Sequence, residues 1–252
     1  MRMYVLPSDF RGTERYTVVG KDVHYLTKVL RLSEGMQFTG RDFSGALWDL
    51  TIESVHRNSC TLLCAQTSEP QALTDALPEY RGPFPEIHLY QAVCKGKKMD
   101  QIVRQATELG VTRIVPVTSE RSLVDMTGKE DDRRIRYEKI VKEAVQQSGS
   151  LVVTTIGTPI KLDQVSADWG HRGPACMLHQ VSQAQQRTLA ELTRTAPIAL
   201  VIGPEGGFSE SEVQMLIRED FHPVLLKTNI LRAETAAIAA VAIVQHLLVE
   251  KL

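Results

Sequence analysis

Two short apolar runs near the C-terminal end of the chain each lead through a loop into a predicted helix. The first, residues 199–202, stops at Gly203, and the second, residues 223–226, stops at Lys227. Fully apolar runs of this length are typical of buried parallel strands. Because α/β folds bind ligands where the carboxyl ends of their strands meet, we expect both loops to line one pocket.

The first loop has the residues of a ligand-binding turn. Gly206 and Gly207 can adopt positive φ and let a ligand approach the backbone. Ser209 is predicted to cap the following helix, with Glu212 completing a capping box. These features alone fit a ligand-free turn equally well. Glu205 favours a site, because it has no capping or packing task, and its charge disfavours a phosphate ligand.

The second loop ends in two charged residues at the start of a long apolar helix, predicted from Ala233 to about residue 249. Arg232 opposes the helix dipole, whereas Glu234 is favoured by it. The two side chains either form an exposed ion pair, which contributes little, or serve a ligand. A helix that is apolar on all sides is typical of burial in a core or against another subunit. Its apolar run is too short to cross a membrane.

Composition and charge narrow the possible partners. With 252 residues and 43% hydrophobic side chains, the chain can bury a core as one large or two small domains. The net charge of −1 says little by itself. Lys95, Lys97 and Lys98 follow a predicted strand and are candidates for phosphate contacts. The basic residues within 133–142 are more typical of a solvated helix face.

The cysteines and the N-terminus predict a cytoplasmic protein. Cys60, Cys64, Cys94 and Cys176 have neither CxxC spacing nor a neighbouring histidine pair, and are predicted to be reduced core thiols. The first residues lack the apolar stretch of an export signal. The sequence contains no metal-binding motif, so we expect no bound metal. Because the apolar run of the long helix is too short to cross a membrane, we expect no membrane partner either.

The pattern of predicted elements divides the chain into three parts. Residues 1–70 give short strands separated by turns, which is typical of a small β-barrel. Residues 71–85, with three prolines and a glycine, are predicted to be a linker. Residues 86–252 alternate strands with helices, which predicts an α/β domain with a mainly parallel sheet.

Individual elements follow from the same patterns. Asp22 is predicted to cap a short helix on which His24 and Arg31, two turns apart, share a face. The other predicted helices are 99–109, 133–147 and 187–194. The predicted strands, besides the two apolar runs, are 16–19, 36–39, 46–52, 59–65, 87–93, 113–117 and 175–178.

Several segments, in the right order along nearly the whole chain, resemble one known family. They are residues 91–100, 106–111, 119–122, 143–149, 202–208 and 230–236. Together they are similar to the RsmE family of the SPOUT class, which methylates N3 of a uracil in 16S ribosomal RNA. So many matches in order are more specific than any single motif.

The resemblance implies a fold and partners that periodicity does not show. It implies a PUA-like N-terminal barrel that binds RNA, and a C-terminal SPOUT methyltransferase domain tied in a deep trefoil knot. It also implies a homodimer through that domain, S-adenosylmethionine as methyl donor, and the small ribosomal subunit as partner. The cofactor-binding residues implied are Leu178, His179, Ile202, Gly203, Pro204, Gly206, Gly207, Leu226, Lys227, Asn229, Ile230 and Leu231.

Catalysis in such an enzyme requires a proton to leave N3 and the resulting charge on O2 and O4 to be stabilised. Arg232, at the mouth of the cofactor loop, is predicted to be the stabilising cation. Glu205 and Glu234 are candidates for the general base, although Glu205 has the alternative of binding the loop backbone and Glu234 that of orienting Arg232. The predicted RNA-binding residues are Arg2, His24, Arg31, Lys95, Lys97, Lys98 and Arg121.

The chain departs from the family pattern at three positions. Family members commonly have Gly and Arg where this chain has Lys227 and Asn229, and Arg where it has Ser150. One alternative is therefore a non-catalytic RNA-binding factor that has lost the cofactor. Another is a metabolic α/β enzyme that binds a phosphorylated small molecule, which Glu205 disfavours.

Overall fold

The protein is represented by a computed structural model that describes residues 3–68, 84–122, 128, 130–180 and 185–250. The chain forms two compact units. The first comprises Met1–Gly82 together with Val145–Val153, and the second comprises Pro83–Ala144 together with Thr154–Leu252. The linker predicted over residues 71–85 lies, except for its last two residues, outside the described residues. Its boundaries stay a prediction.

Within the described part of the first unit, five strands form a mixed sheet in the order β1-β3-β4-β5-β2. The strands are β1 (Tyr4–Val5), β2 (Arg15–Val19), β3 (Gln37–Arg41), β4 (Leu47–Val55) and β5 (Ser59–Thr67). β1 runs parallel to β3, and the other pairs are antiparallel. Along β4, Trp48, Leu50 and Ile52 are buried between partly exposed neighbours, so alternate side chains point into the core.

The short helix of this unit differs from its prediction. α1 (Lys21–His24) continues into a π-helical turn, Tyr25–Val29. The predicted cap at Asp22 is wrong, because Gly20, with φ of 64°, occupies the N-cap position and Asp22 lies in the first turn. Arg31 lies beyond the end of the helix with φ of 57°. The expectation that His24 and Arg31 share a helix face is therefore wrong.

The segment Val145–Val153 belongs to the first unit although the sequence pattern places it among the later helices. Its backbone carbonyls bind a buried arginine of β3. Nη1 of Arg41 donates hydrogen bonds to the carbonyl oxygens of Ser150 and Val152, at 3.0 and 2.8 Å. Burial lowers the pKa of Arg41 to about 10. These contacts satisfy one guanidinium nitrogen that is shielded from water.

The described part of the second unit contains a seven-stranded parallel sheet, which confirms the predicted α/β class. The strand order is β12-β10-β11-β6-β7-β8, with β9 also pairing with β7. The strands are β6 (Ile87–Ala92), β7 (Arg113–Thr118), β8 (Thr155–Ile156), β9 (Ile160–Lys161), β10 (Ala175–Leu178), β11 (Ile198–Ile202) and β12 (His222–Val224). The later helices are α2 (Lys98–Glu108), α3 (Glu130–Ser148), α4 (Val165–Trp169), α5 (Leu189–Leu192), α6 (Glu210–Arg218) and α7 (Ala233–Val249).

Burial explains why these sequences form a parallel sheet. Every residue of β11 and of β6 is buried, as expected for central strands covered on both faces. Trp169 and Phe221 are among the largest fully buried side chains. α7 has the predicted bounds, and its Ala237, Val241 and Val244 are fully buried while Ile243 is 40% exposed. α5 is shorter than predicted because Thr188 and Glu191 form its capping box.

Two further observations concern the predicted setting of the chain. The four cysteines, Cys60, Cys64, Cys94 and Cys176, are free and buried, as predicted. Across the residues that the structure describes, no helix has both the length and the apolar character needed to span a bilayer.

Gly173 gives a test of the packing between β10 and β11. A Cβ added there would lie 2.1 Å from the carbonyl oxygen of Pro197, a backbone atom that cannot move aside cheaply. We expect Gly173→Ala to lower the free energy of unfolding by about 1–3 kcal/mol, the usual cost of overpacking. Urea denaturation followed by circular dichroism measures this change.

Gly203→Ala is the matched control, since its added Cβ meets its nearest neighbours at 3.4 Å, an ordinary contact. We expect it to change the midpoint much less. Equal midpoints for the two variants would contradict the close approach of the backbones at Gly173.

Candidate active site

A cavity of about 430 Å³ opens at the carboxyl ends of β10, β11 and β12. Parallel pairing brings these three strand ends to one edge of the sheet. The segments that follow the strands supply most of the lining, so the two loops do line one pocket, as predicted. The lining residues are Lys98, Arg121, Leu178–Gln180, Ile202–Phe208, Val224–Leu226 and Thr228–Ala233 with Ala236.

The loop after β11 is held by its own backbone and by the start of α6. Gly207 has φ of 66°, and its N–H donates to the carbonyl oxygen of Pro204 at 2.9 Å. The predicted capping box is confirmed: the hydroxyl of Ser209 accepts from the N–H of Glu212, and the Glu212 carboxylate accepts from the N–H of Ser209 at 2.8 Å. Nη1 of Arg121 also donates to the carbonyl oxygen of Gly206 at 2.9 Å.

Glu205 fastens this loop to the segment that follows β6. Its Oε1 accepts hydrogen bonds from Nζ of Lys98, at 2.9 Å, and from the backbone N–H of Lys95, at 3.1 Å. Glu205 therefore has a structural task, which is neither capping nor apolar packing but the joining of two segments that are distant along the chain. Burial by itself would raise the pKa of Glu205, but these hydrogen bonds outweigh it and hold the pKa below its usual value. Glu205 is consequently ionised at neutral pH.

The start of α7 separates its two charged residues. Arg232 occupies the N-cap position with extended backbone, and its side chain is exposed at the cavity. Its guanidinium makes no hydrogen bond or ion pair within the part of the chain that is described. Glu234 is 8% exposed, and its Oε2 is buried without a hydrogen-bond partner among the described residues. The alternative of an Arg232 to Glu234 surface pair is therefore wrong.

Lys98 lies between the two glutamates of the site. Its Nζ is 3.8 Å from Oε2 of Glu234, in addition to its bond with Glu205. Beneath the loop, Gln91 is completely buried, and its Nε2 is 3.5 Å from the carbonyl oxygen of Gly203. Oε1 of Gln91 has no partner among the described residues. Sequence reasoning did not predict that Gln91 would contact the loop after β11, although a polar residue inside an apolar strand is a signal of such a contact.

The predicted site residues fall into clear groups. The cavity is lined by all the predicted cofactor-binding residues except Lys227, namely Leu178, His179, Ile202, Gly203, Pro204, Gly206, Gly207, Leu226, Asn229, Ile230 and Leu231. Of the predicted catalytic residues, Arg232 and Glu205 line it and Glu234 does not. Lining residues that the sequence analysis did not assign to the site are Gln180, Phe208, Val224, Leu225, Thr228, Ala233 and Ala236.

The predicted RNA-binding residues do not form one group. Lys98 and Arg121 line the cavity, and Lys95 and Lys97 are exposed just before α2. His24 and Arg31 lie in the first unit, and Arg2 is outside the described residues.

Comparisons with known proteins agree with this geometry. The model of a family described as "RNA methyltransferase domain" matches residues 81–245. Ribosomal RNA small subunit methyltransferase E of Synechocystis sp. is 32% identical over 235 residues, which cover 92% of this chain and 73% of that protein. The chain belongs to the RsmE family.

Solved structures of similar proteins match the chain over almost its whole length. One is a ribosomal RNA small subunit methyltransferase E from Neisseria gonorrhoeae bound to S-adenosyl methionine. It has 26% identity and a TM-score of 0.82, covering 98% of each chain. A methyltransferase from Legionella pneumophila, in complex with the bound cofactor SAM, has 27% identity and the same TM-score and coverage. The resemblance to the RsmE family is thus confirmed.

His179, at the end of β10, gives a pH test of the cavity wall. Burial lowers the pKa of its imidazole below the usual value of about 6.5, and Glu210 opposes this shift only in part. Because the unfolded chain then binds more protons, the contribution of His179 to stability falls as the pH drops from about 6.5 through the lower folded pKa. We expect its imidazole to titrate below pH 6.5 in an NMR experiment.

The resonance is assigned as the one missing from His179→Asn, which serves as the control. The unfolding free energy of that variant should depend less on pH between 7 and 5 than that of the wild type. An NMR titration midpoint at or above pH 6.5 would show that the imidazole of His179 is more exposed to water than it is in the structure.

Proposed function

We propose that this chain transfers a methyl group from S-adenosylmethionine to N3 of one uridine in the 16S ribosomal RNA of the small ribosomal subunit. The observation that carries the proposal is one cavity that combines a glycine-rich loop with an arginine at its rim, Arg232, that has no ion-pair partner among the described residues. The similarity to ribosomal RNA small subunit methyltransferase E of Synechocystis sp. supports the choice of RNA.

The cavity suits the proposed donor in size and chemistry. Its volume of about 430 Å³ falls in the range of small-molecule sites. Gly203, Gly206 and Gly207 leave backbone open to a ligand, and Leu178 and Leu231 supply apolar wall. S-adenosylmethionine, when bound, supplies a methyl group on a positively charged sulfur.

Arg232 is proposed to stabilise the uracil anion that reacts. N3 becomes nucleophilic once its proton leaves, and the charge then spreads to O2 and O4. A guanidinium that is free of protein partners can donate to those oxygens without breaking an ion pair. The walls of the cavity supply the second part of catalysis, which is alignment of N3 with the methyl carbon.

The contacts of the two candidate bases, Glu205 and Glu234, differ. Glu205 is held by Lys98 and by the N–H of Lys95, and its lowered pKa makes it a weak base. Glu234 keeps one carboxylate oxygen without a hydrogen bond, although it does not line the cavity. We therefore favour Glu234 over Glu205 for proton removal or for guiding the proton through a water molecule.

The finer fold belongs to the same proposal. We propose a PUA-like RNA-binding barrel over residues 1–70 and a knotted SPOUT domain over residues 86–252. The pairing of β12 with β10, and the shared cavity of the two loops, support a chain that returns across the strand ends. We also propose a homodimer through this domain, supported by α7, whose apolar residues Ile238, Ala239, Ala242 and Ile243 are exposed or half-buried. We further propose that the protein acts in the cytoplasm.

A non-catalytic RNA-binding factor is the weaker alternative. This alternative rests on the departures from the family pattern at Lys227, Asn229 and Ser150, which would have removed the affinity for the cofactor. Lys227 does not line the cavity, so a longer side chain there leaves the space free. Ser150 lies in the first unit, where its hydroxyl accepts from the N–H of Val152 at 3.3 Å. The placements of Lys227 and Ser150 therefore leave room for the cofactor, and of the three positions Asn229 alone lines the cavity.

The central prediction concerns Arg232. We expect Arg232→Ala to bind S-adenosylmethionine within about threefold of the wild type but to lose methyl transfer by at least about a hundredfold, since it removes the cation beside the developing charge. Calorimetry measures the first quantity, and transfer of tritiated methyl to small-subunit RNA measures the second. Arg232→Lys, which keeps the charge, should recover part of the rate; unchanged turnover in Arg232→Ala would remove Arg232 from the mechanism.

A second prediction concerns the exposed lysines before α2. If Lys97 contacts a phosphate, Lys97→Met should weaken RNA binding and reduce the slope of log affinity against log salt by about 0.7 to 0.9. Filter binding between 50 and 200 mM salt gives the slope. Lys161→Met, at an exposed lysine outside the predicted set, is the control and should leave the slope unchanged. Equal slopes for both variants would exclude Lys97 from the RNA surface.

A further inference from the structure

The three lysines before α2 are not equivalent in the structure. The side chains of Lys95 and Lys97 are exposed and make no ion pair with the described residues. Lys98 is only 33% exposed, and its ammonium contacts two carboxylates from two other segments. One belongs to Glu205 in the loop after β11, and the other to Glu234 in the first turn of α7. Lys98 thus joins the three segments that meet beside the cavity.

We infer that Lys98 is a positioning residue of the cofactor pocket and not a ligand of RNA phosphate. It holds the glycine-rich loop through Glu205 and the start of α7, with the neighbouring Arg232, through Glu234. The inference rests on the proposed function and deepens it, because it assigns part of the predicted RNA surface to the pocket instead.

The geometry around Glu205 explains why this attachment is specific. One carboxylate oxygen accepts from the ammonium of Lys98 and from the backbone N–H of Lys95. Side chain and backbone of the same short segment therefore hold one atom of the loop. The hydrogen bond with Glu205 raises the pKa of Lys98, and the Lys98 ammonium in turn contributes to lowering the pKa of Glu205. Both shifts are those of an attractive pair.

The surroundings of Glu234 explain why Lys98 is not available to RNA. Oε2 of Glu234 is buried and lacks a hydrogen bond among the described residues, and the Lys98 ammonium, at 3.8 Å, compensates its charge. A phosphate that drew Lys98 outward would leave this carboxylate buried and uncompensated, which is costly. Lys97 offers a solvated ammonium one residue away without that penalty.

The experiment compares Lys98→Met with Lys97→Met in the full-length protein. We expect Lys98→Met to weaken S-adenosylmethionine binding in calorimetry by about two- to fivefold, the range for a partly exposed ion pair. Its kcat should fall by at least about tenfold, because Arg232 is displaced, while the salt slope of RNA binding stays unchanged. Lys97→Met should keep the cofactor affinity of the wild type and reduce the salt slope of RNA binding. Lys98→Arg, which keeps the charge, should recover part of the cofactor affinity.

A double-mutant cycle tests whether Lys98 acts through Glu205. Glu205→Gln removes the charge of the other partner in the pair, so it should reproduce the loss in cofactor affinity. This variant also tests the inference if Lys98→Met does not fold. The double variant Lys98→Met, Glu205→Gln should lose no more cofactor affinity than whichever single variant loses more. Additive losses, or a Lys98→Met variant with normal cofactor affinity and a reduced salt slope, would overturn the inference.

The outcomes for the wild type separate this inference from the proposed function. A wild type that binds no S-adenosylmethionine overturns the proposed function and this inference with it. A wild type that binds the cofactor and methylates RNA, with Lys98→Met unaffected in both, overturns this inference alone.

Discussion

Parallel pairing of β12 with β10 is the constraint on which the site depends. Since β10 also pairs with β11, the carboxyl ends of three strands lie side by side. The loops that follow them then line one cavity, although a helix separates each loop from the next along the chain. The central strand, β11, is buried on both faces, so its backbone hydrogen bonds and apolar side chains fix the cavity wall before any ligand arrives.

The cationic side chains at the cavity differ in whether they have protein partners among the described residues. Lys98 is engaged by Glu205 and Glu234, and Arg121 is engaged by the carbonyl oxygen of Gly206. Within the described chain, the side chain of Arg232 alone among these cations has no such partner. The engaged cations hold the loops in place, and the guanidinium of Arg232 is available for the role proposed for it. A chemical role for Arg232 follows more directly from this contrast than from its position in the sequence.

Sequence reasoning succeeded where local pattern decides structure. α7 has the predicted bounds and α6 the predicted capping box, because a continuous apolar helix and the Ser209 to Glu212 spacing are local signals. It failed where a tertiary contact or an unusual backbone decides. The N-cap lies at Gly20, which has a positive φ, and Arg31 follows a π-helical turn; hydrophobic spacing reveals neither feature. Lys98 and Glu205 are distant in sequence, and only the sheet topology brings them together.

The discontinuous first unit has a consequence for how the protein is made. Arg41 emerges early in synthesis, but the carbonyl groups of Ser150 and Val152 that satisfy it follow more than a hundred residues later. Until then its guanidinium must stay hydrated, so the packing around it is incomplete while the next strands are being translated. A fragment cut after β5 would lack both carbonyl groups that accept from this buried guanidinium. Residues before β6 are therefore poorly suited to fold as an independent fragment.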